Sequence, residues 1–374
     1  MGNRERKIFL FAGGGTGGHL YPGLAIAQRL QQLVACEIHF IGTAKGIETK
    51  VVPEHGYPLH LISVRGFARN RIWINLLLPL RLLVSLVQCG RLVRKLQPDV
   101  VVGTGGYASG PMLYMAHRFG VATLIQEQNC KPGVTTRILA RYADQIHLSF
   151  KESSSYFKPS DRIHLTGNPV RSLEVSASVP EARHHFGLAS ERMTLLVFGG
   201  SQGARVINRT MAGVLPKLMA QTDLQILWAC GKGNAAALMQ TAAAFSGRVQ
   251  VQEYIAEMPM AYRAADLVVC RAGALTLAEL ARCGLPAVLI PLASAAANHQ
   301  ASNALALQQQ GAAVVILESE LNEDVLQRTI VALAKDAQKR NQMGESIRAT
   351  AVTDATDRLA RSVLALGERK GEGR

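Results

Sequence analysis

Short apolar runs alternate with longer amphipathic stretches from one end of the chain to the other. An apolar run bounded by turn residues suits a buried strand, and apolar positions recurring every three or four residues suit a helix lying on a sheet. In the first half the pattern predicts strands over Lys7–Ala12, Glu37–Ile41, Leu59–Ser63, Val100–Val102, Ala122–Gln126 and Gln145–Leu148. Helices are expected near 20–33, 73–96, 110–118 and 133–142. In the second half, strands are expected over Thr194–Phe198, Gln225–Ala229, Val249–Gln252, Leu267–Val269, Ala287–Ile290 and Ala313–Ile316. The intervening helices fall near 204–220, 234–243, 257–264, 275–282, 299–309 and 322–336. Strands that are apolar throughout, separated by helices, imply parallel sheets covered on both faces and an α/β fold class.

Two glycine-rich turns follow apolar runs directly. Phe11-Ala12 leads into Gly13-Gly14-Gly15-Thr16-Gly17-Gly18-His19, and Val197-Phe198 leads into Gly199-Gly200-Ser201-Gln202-Gly203-Ala204. A strand that passes through glycines into a helix leaves backbone N–H groups and the positive helix end facing whatever lies above, which favours phosphate. The alternative for either turn is that its glycines only let a helix pack closely on its sheet. Neither turn has the spaced dinucleotide pattern. One turn in each half leads us to expect two facing Rossmann-like domains with a cleft between them. Gly167-Asn168-Pro169 interrupts regular structure, so the expected boundaries are 1–167 and 168–340. A helix over 341–366 is expected to pack back on the N-terminal domain, with 367–374 a frayed tail.

A length of 374 residues suits two domains, and a hydrophobic content of 48% supports large cores. Six cysteines lack metal-site spacing and read as free, mostly buried thiols in a reducing compartment. The first residues are polar and charged, so no signal peptide is expected and a cytoplasmic location is. The net charge of +14 is uneven: residues 1–167 hold 20 Lys and Arg against 9 Asp and Glu. No acidic residue occurs between His55 and Pro98, whereas Arg65, Arg69, Arg71, Arg81, Arg91, Arg94 and Lys95 do. Apolar residues such as Trp73, Leu77, Leu80, Leu83 and Val87 are interleaved with them. Asn75, Pro79 and Arg81 break the run, so it does not read as a membrane span. An apolar stretch with a basic rim, over about 65–95, suits an anionic membrane surface. The alternative is a core helix with solvated arginines at its ends. Nucleic acid is not expected, because no recognised binding motif accompanies the charge.

Further candidate chemistry sits at strand ends. Gly103-Thr104-Gly105-Gly106-Tyr107-Ala108-Ser109-Gly110-Pro111 follows one strand, where open α/β sheets bind ligands. Gln126-Glu127-Gln128-Asn129 follows the next and offers hydrogen bonds to hydroxyls. Arg271-Ala272-Gly273-Ala274-Leu275-Thr276 opens a helix that carries Glu279 one turn in, where a carboxylate suits ribose hydroxyls or, alternatively, caps the helix. Asn298-His299-Gln300 offers polar groups to sugar hydroxyls.

Together, Thr16-Gly17-Gly18-His19, Gly105–Pro111, Glu127-Gln128-Asn129, Thr166-Gly167-Asn168-Pro169-Val170-Arg171, Gly199–Ala204 and Arg271–Thr276 resemble the MurG family of bacterial lipid II synthases. The match runs in one order over nearly the whole chain. The resemblance implies a GT-B glycosyltransferase of two Rossmann-like domains. It implies transfer of N-acetylglucosamine (GlcNAc) from UDP-GlcNAc to the C4 hydroxyl of the muramic acid of lipid I, as a peripheral protein on the cytoplasmic face of the plasma membrane. On the family's pattern Glu279 would hold the ribose, Ile255 would meet uracil through its backbone, and Ser201 with Arg171 would meet the diphosphate. Ala274, Leu275 and Thr276 would line sugar and phosphate, Gln300 and Asn129 would face GlcNAc hydroxyls, and Thr16, Gly17 and Gly18 would meet both sugars. The sequence departs from the family at Leu292-Ala293-Ser294-Ala295-Ala296-Ala297, where aromatic or polar residues are usual.

Sugar transfer needs a base for the acceptor hydroxyl and stabilisation of the departing UDP. His19, at a positive helix end that disfavours its protonation, is the expected base. The alternative is a helix-start histidine holding a backbone group. No Asp-x-Asp occurs, so no metal is required by the sequence, and direct displacement implies inversion. Another UDP-sugar enzyme of the same architecture, a glycolipid synthase or an epimerase, is the competing function, followed by a non-enzymatic membrane-binding protein.

Overall fold

Alternate residues of the first strand enter different cores: Phe9 and Phe11 one, Leu10 and Ala12 the other. The two-residue period of a strand covered on both faces produces this. The computed structural model describes residues 6–66, 78–200, 203–295 and 298–372. The chain divides into two units: residues up to Arg171 together with those from Val352, and Ser172–Ala351.

The first unit runs β1 (Lys7–Gly13), α1 (Gly17–Leu33), β2 (Cys36–Gly42), α2 (Glu48–Glu54), β3 (Leu59–Leu61), α3 (Leu78–Leu96), β4 (Val100–Gly105), α4 (Ser109–Arg118), β5 (Ala122–Glu127), α5 (Val134–Leu139), β6 (Gln145–Leu148) and β7 (Ile163–Leu165). All pairings are parallel, in the order β3-β2-β1-β4-β5-β6-β7. The order reverses between β1 and β4, which makes their C-terminal ends the switch point where such sheets bind ligands.

The second unit runs α6 (Val179–His185), β8 (Thr194–Phe198), α7 (Arg205–Gln221), β9 (Gln225–Ala229), α8 (Ala235–Ala242), β10 (Val249–Gln252), α9 (Met258–Ala264), β11 (Leu267–Cys270), α10 (Ala274–Cys283), β12 (Ala287–Leu289), α11 (His299–Gln309), β13 (Ala313–Val315), α12 (Glu323–Lys335) and α13 (Ala337–Ala349). Its parallel sheet has the order β10-β9-β8-β11-β12-β13, with the switch point between β8 and β11.

The C-terminal segment differs from expectation. Instead of one helix over 341–366, α13 ends at Ala349 and α14 (Ala355–Glu372) begins after a break containing the β-branched pair Val352-Thr353. α14 packs in the first unit, where Leu359, Ala360, Val363 and Leu366 join the cluster of Phe9, Phe11 and Leu20. The expected frayed tail is helical as far as Glu372, and Lys7 pairs with Glu368 at 2.9 Å. Three short elements were not foreseen: α2, β7 and α6. The last carried a readable signal, since Ser178 and Glu181 form a capping box. The expected helix 73–96 is α3 from Leu78, and 73–77 lie outside the described residues.

Candidate functional site

The first switch point is built from two glycine turns. β1 ends in Gly13-Gly14-Gly15, and Thr16 caps α1 with its backbone carbonyl, accepting from the N–H groups of His19 and Leu20 at 3.2 Å. β4 ends at Gly105 with Gly106 beyond, both at positive φ. A Cβ on Gly106 would stand 2.5 Å from the Gly14 carbonyl oxygen, so only glycine lets the turns meet. Thr16 and Gly18 are exposed, and Gly17 and His19 half-buried.

Behind these turns lies a buried polar framework. Glu48, the first residue of α2, is wholly buried. It accepts from Gly15 N–H at 2.8 Å, Thr43 N–H at 2.8 Å and the Thr43 hydroxyl at 3.0 Å, which ties the first turn to the end of β2. The Thr104 hydroxyl donates to the His19 carbonyl at 2.7 Å. His19 Nδ1 lies 3.2 Å from Gln128 Oε1. The Gln126 amide donates to Ser149 Oγ at 3.0 Å, and Asn168 donates to the Gln128 carbonyl at 3.0 Å.

This framework corrects one expectation. Of Gln126-Glu127-Gln128-Asn129, the first three are buried and spend their hydrogen bonds inside the unit; Asn129 alone is half-buried. Glu127 accepts from Asn129 N–H at 3.1 Å, Asn129 Nδ2 at 3.2 Å and Gly133 N–H at 3.1 Å, and so orients Asn129. Glu48 was not foreseen. Its position at the start of an amphipathic stretch too short to read as a helix hid it.

The second switch point also has a glycine-rich turn after its strand. After β8, Gly203 N–H donates to the Gly200 carbonyl at 2.9 Å, and α7 begins at Arg205. Ser201 lies outside the described residues. Behind the turn, Asn208 donates to the Cys230 carbonyl at 2.7 Å and accepts from Trp228 Nε1 at 3.1 Å. After β11, Gly273 precedes α10, with Ala274 buried and Leu275 and Thr276 half-buried. Because α10 starts at Ala274, Glu279 lies beyond the first turn, which excludes the capping alternative. Its Oε2 accepts from the hydroxyl of Tyr262 at 2.8 Å. Tyr262, on α9, is a residue the sequence reading missed. The Ile255 side chain is buried at 2% exposure, which anchors the backbone just past β10.

Gln300 is the second residue of α11, and its Oε1 accepts from Leu292 N–H at 3.0 Å. The Ala-rich stretch is held at its start by Glu318, which accepts from Ala293 N–H at 3.0 Å and pairs with the half-buried Arg271. Ala296 and Ala297 lie outside the described residues. The structure therefore gathers Thr16, Gly17, Gly18, His19 and Asn129 in the first unit. It places Ile255, Ala274, Leu275, Thr276, Glu279 and Gln300 in the second, with Arg171 exposed at the end of the first.

Beside Gly15 a cavity of about 840 Å³ is lined by Thr43, Lys45, Arg65, Arg81 and Tyr107 among others. α3 buries one narrow stripe, Ser85, Cys89, Gly90 and Val93, whereas Leu80, Leu82, Leu83, Val84 and Val87 are between 41% and 59% exposed. The core-helix alternative therefore accounts for only one stripe of it. Trp73, Leu77, Arg69 and Arg71 lie outside the described residues. No described helix is long and apolar enough to cross a membrane. Among the described residues no group of three or more His, Cys, Asp or Glu is placed to hold a metal ion. All six cysteines are free thiols. Burial pushes the Cys89 thiol up to about 12 and that of Cys283, which is half-buried, up to about 11.

The model of the glycosyltransferase family 28 N-terminal domain matches residues 9–148, and that of the family's C-terminal domain matches 194–359. The chain is similar to the UDP-N-acetylglucosamine–N-acetylmuramyl-(pentapeptide) pyrophosphoryl-undecaprenol N-acetylglucosamine transferase of Chlorobaculum parvum. The identity is 46% over 365 residues, covering 96% of this chain and 99% of that protein. The protein of the same name from Ruminiclostridium cellulolyticum is 42% identical over 354 residues, covering 94% and 97%. The crystal structure of Acinetobacter baumannii MurG superposes with a TM-score of 0.77 at 29% identity, covering 96% and 99%. By these matches, and with a glycine turn at each of its two switch points, the chain belongs to the MurG family of glycosyltransferase family 28.

Proposed function

We propose that this protein transfers GlcNAc from UDP-GlcNAc to the C4 hydroxyl of the muramic acid of lipid I, forming lipid II with inversion at the anomeric carbon. The observation that carries the reading is similarity of 42–46% over more than nine-tenths of the chain to relatives named for this reaction. Neither name describes an epimerase. UDP-GlcNAc belongs to the second unit: Glu279 takes the ribose hydroxyls, the backbone at Ile255 the uracil, and Ala274, Leu275, Thr276 and Gln300 the sugar and phosphate. The N–H groups of the Gly199–Ala204 turn, Ser201 and Arg171 meet the charge on the departing diphosphate, so no metal is invoked.

The first unit takes the acceptor. Thr16, Gly17 and Gly18 meet hydroxyls of both sugars, Asn129 meets those of GlcNAc, and Lys45, Arg65 and Arg81 supply positive charge for the diphosphate of lipid I. His19 removes the proton from the C4 hydroxyl, whose oxygen attacks the anomeric carbon. The carbon–oxygen bond to UDP breaks as its electrons pass to the diphosphate. The exposed apolar face of α3, with Arg91, Arg94 and Lys95, rests on an anionic membrane at the cytoplasmic face, where the acceptor's lipid lies.

The test supplies radiolabelled UDP-GlcNAc with and without a lipid I analogue. The expected result is label in a lipid-linked disaccharide, with no change in the donor when acceptor is absent. Donor turnover to an epimer without acceptor would replace this reading with the competing one.

A further inference from the structure

The surroundings of His19 determine which of its ring nitrogens holds a hydrogen. Gln128 is 2% exposed, and its Nε2 donates to the Thr104 carbonyl at 2.8 Å and the Gln126 carbonyl at 3.0 Å, with Gln126 Oε1 also in contact. Backbone carbonyls only accept, so the amide end facing them must be the NH2. The end 3.2 Å from His19 Nδ1 is therefore the carbonyl oxygen. That oxygen has no hydrogen to give, so Nδ1 donates and, in the neutral ring, Nε2 carries the lone pair. The ring also lies against Gly105, where a Cβ would stand 2.5 Å from Nδ1. Thr104 serves both partners, its hydroxyl donating to the His19 carbonyl and its carbonyl accepting from Gln128.

We infer that Gln128 is a positioning residue that fixes His19 as the Nδ1–H tautomer and so presents Nε2 as the proton acceptor. This rests on the proposed role of His19 as base. A carboxylate in the same place would also fix the tautomer, but its charge would favour the imidazolium and leave less of the base neutral. A neutral amide orients the ring without that cost. The backbone of Gln128 is held in turn by Asn168, which donates to its main-chain carbonyl, so the orientation is set by the unit's interior.

The experiment is nitrogen-15 NMR of the histidine-labelled full chain at a pH where the ring is neutral, with kcat and donor KM measured on the same samples. The native protein should show His19 protonated at Nδ1 alone, a reading that needs no variant to fold. Gln128→Leu should admit the Nε2–H tautomer and lower kcat by about 100-fold. That is less than the ~10,000-fold loss when a charged orienting group is replaced and the wrong tautomer results. Donor KM should stay within about twofold, since the donor belongs to the second unit. Gln128→Glu keeps an acceptor oxygen toward Nδ1 and should keep the tautomer. A native His19 protonated at Nε2, or a Gln128→Leu chain with unchanged tautomer, overturns the inference. If the tautomer behaves as expected but His19→Ala keeps native kcat, Gln128 still orients the ring and it is the base assignment that fails.

Discussion

The two switch points share a plan of strand, glycine-rich turn and helix, and differ in what the described residues place behind it. Each has a strand, a glycine turn and a helix whose first turn carries no acidic residue. Behind the first, buried Thr104, Gln126, Gln128 and Asn168 with half-buried Ser149 form a hydrogen-bonded framework that ends on an imidazole, and buried Glu48 separately ties the glycine turn to Thr43. Behind the second, the described residues offer the Asn208 amide with the Trp228 indole and the half-buried Arg271–Glu318 pair, and Glu279, the proposed ribose ligand, is on the neighbouring helix α10. A buried polar network costs desolvation and is worth having where one group must be held in one state. An anion held by backbone N–H groups needs only the turn. We read the contrast as a division of labour, proton transfer at the first switch point and donor binding at the second.

The largest expected effect is at His19. His19→Ala should lower kcat by roughly 100- to 10,000-fold, the usual range for a lost general base, and leave UDP-GlcNAc affinity by calorimetry nearly unchanged. The native kcat should fall on the acid side as the imidazole protonates, and that limb should be missing in the variant. Next comes Glu48. Glu48→Gln keeps the shape but turns an amide NH2 toward a donor, and burial leaves it no water. The expected loss in urea unfolding is about 2–3 kcal/mol, with a raised acceptor KM, because a buried donor goes unpaired.

At the second switch point, Glu279→Ala should weaken UDP-GlcNAc binding by roughly 1–3 kcal/mol, since partners of a charged acceptor lose it. Calorimetry that finds affinity unchanged removes Glu279 from the donor site. The first unit should also carry a pH signature. Burial first, then His164 and Arg358, push the His147 imidazole down to about 3 from 6.5. Its folded-state value is the lower one, so between these values the unfolded chain binds more protons and stability falls as pH falls. Between pH 7 and pH 5 the expected loss is about 2 kcal/mol. Hydrogen exchange should place it in the first unit, and His147→Gln should flatten it. The smallest effect concerns α3. Replacing Leu80, Leu83 and Val87 by serine should weaken binding to anionic vesicles, with transfer to a short-chain soluble acceptor preserved. Unchanged vesicle binding would assign the membrane contact to another surface.

Most strands and both glycine turns were legible, because a doubly covered parallel strand is written as an uninterrupted apolar run. His19, in the first turn of α1, and Glu279, just past the first turn of α10, drew attention by their places near glycine turns, and their roles remain part of the proposal. The framework was not. Glu48, Glu127 and Gln128 are polar residues whose burial depends on strands and turns far away in sequence, and no local pattern separates a buried amide from an exposed one. Gln128 shows the point: it read as a group for substrate hydroxyls, and the fold turns it inward to Thr104 and Gln126. The break between α13 and α14 was hidden by helical periodicity that continues on both sides.

The division of labour is tested most directly by single-turnover transfer from UDP-GlcNAc to a lipid I analogue, measured against donor concentration for His19→Ala and Glu279→Ala together. The account predicts that Glu279→Ala regains close to the native rate once donor saturates. His19→Ala should remain slow at every donor concentration. A His19→Ala chain rescued by added donor, or a Glu279→Ala chain that stays slow at saturation, would contradict it.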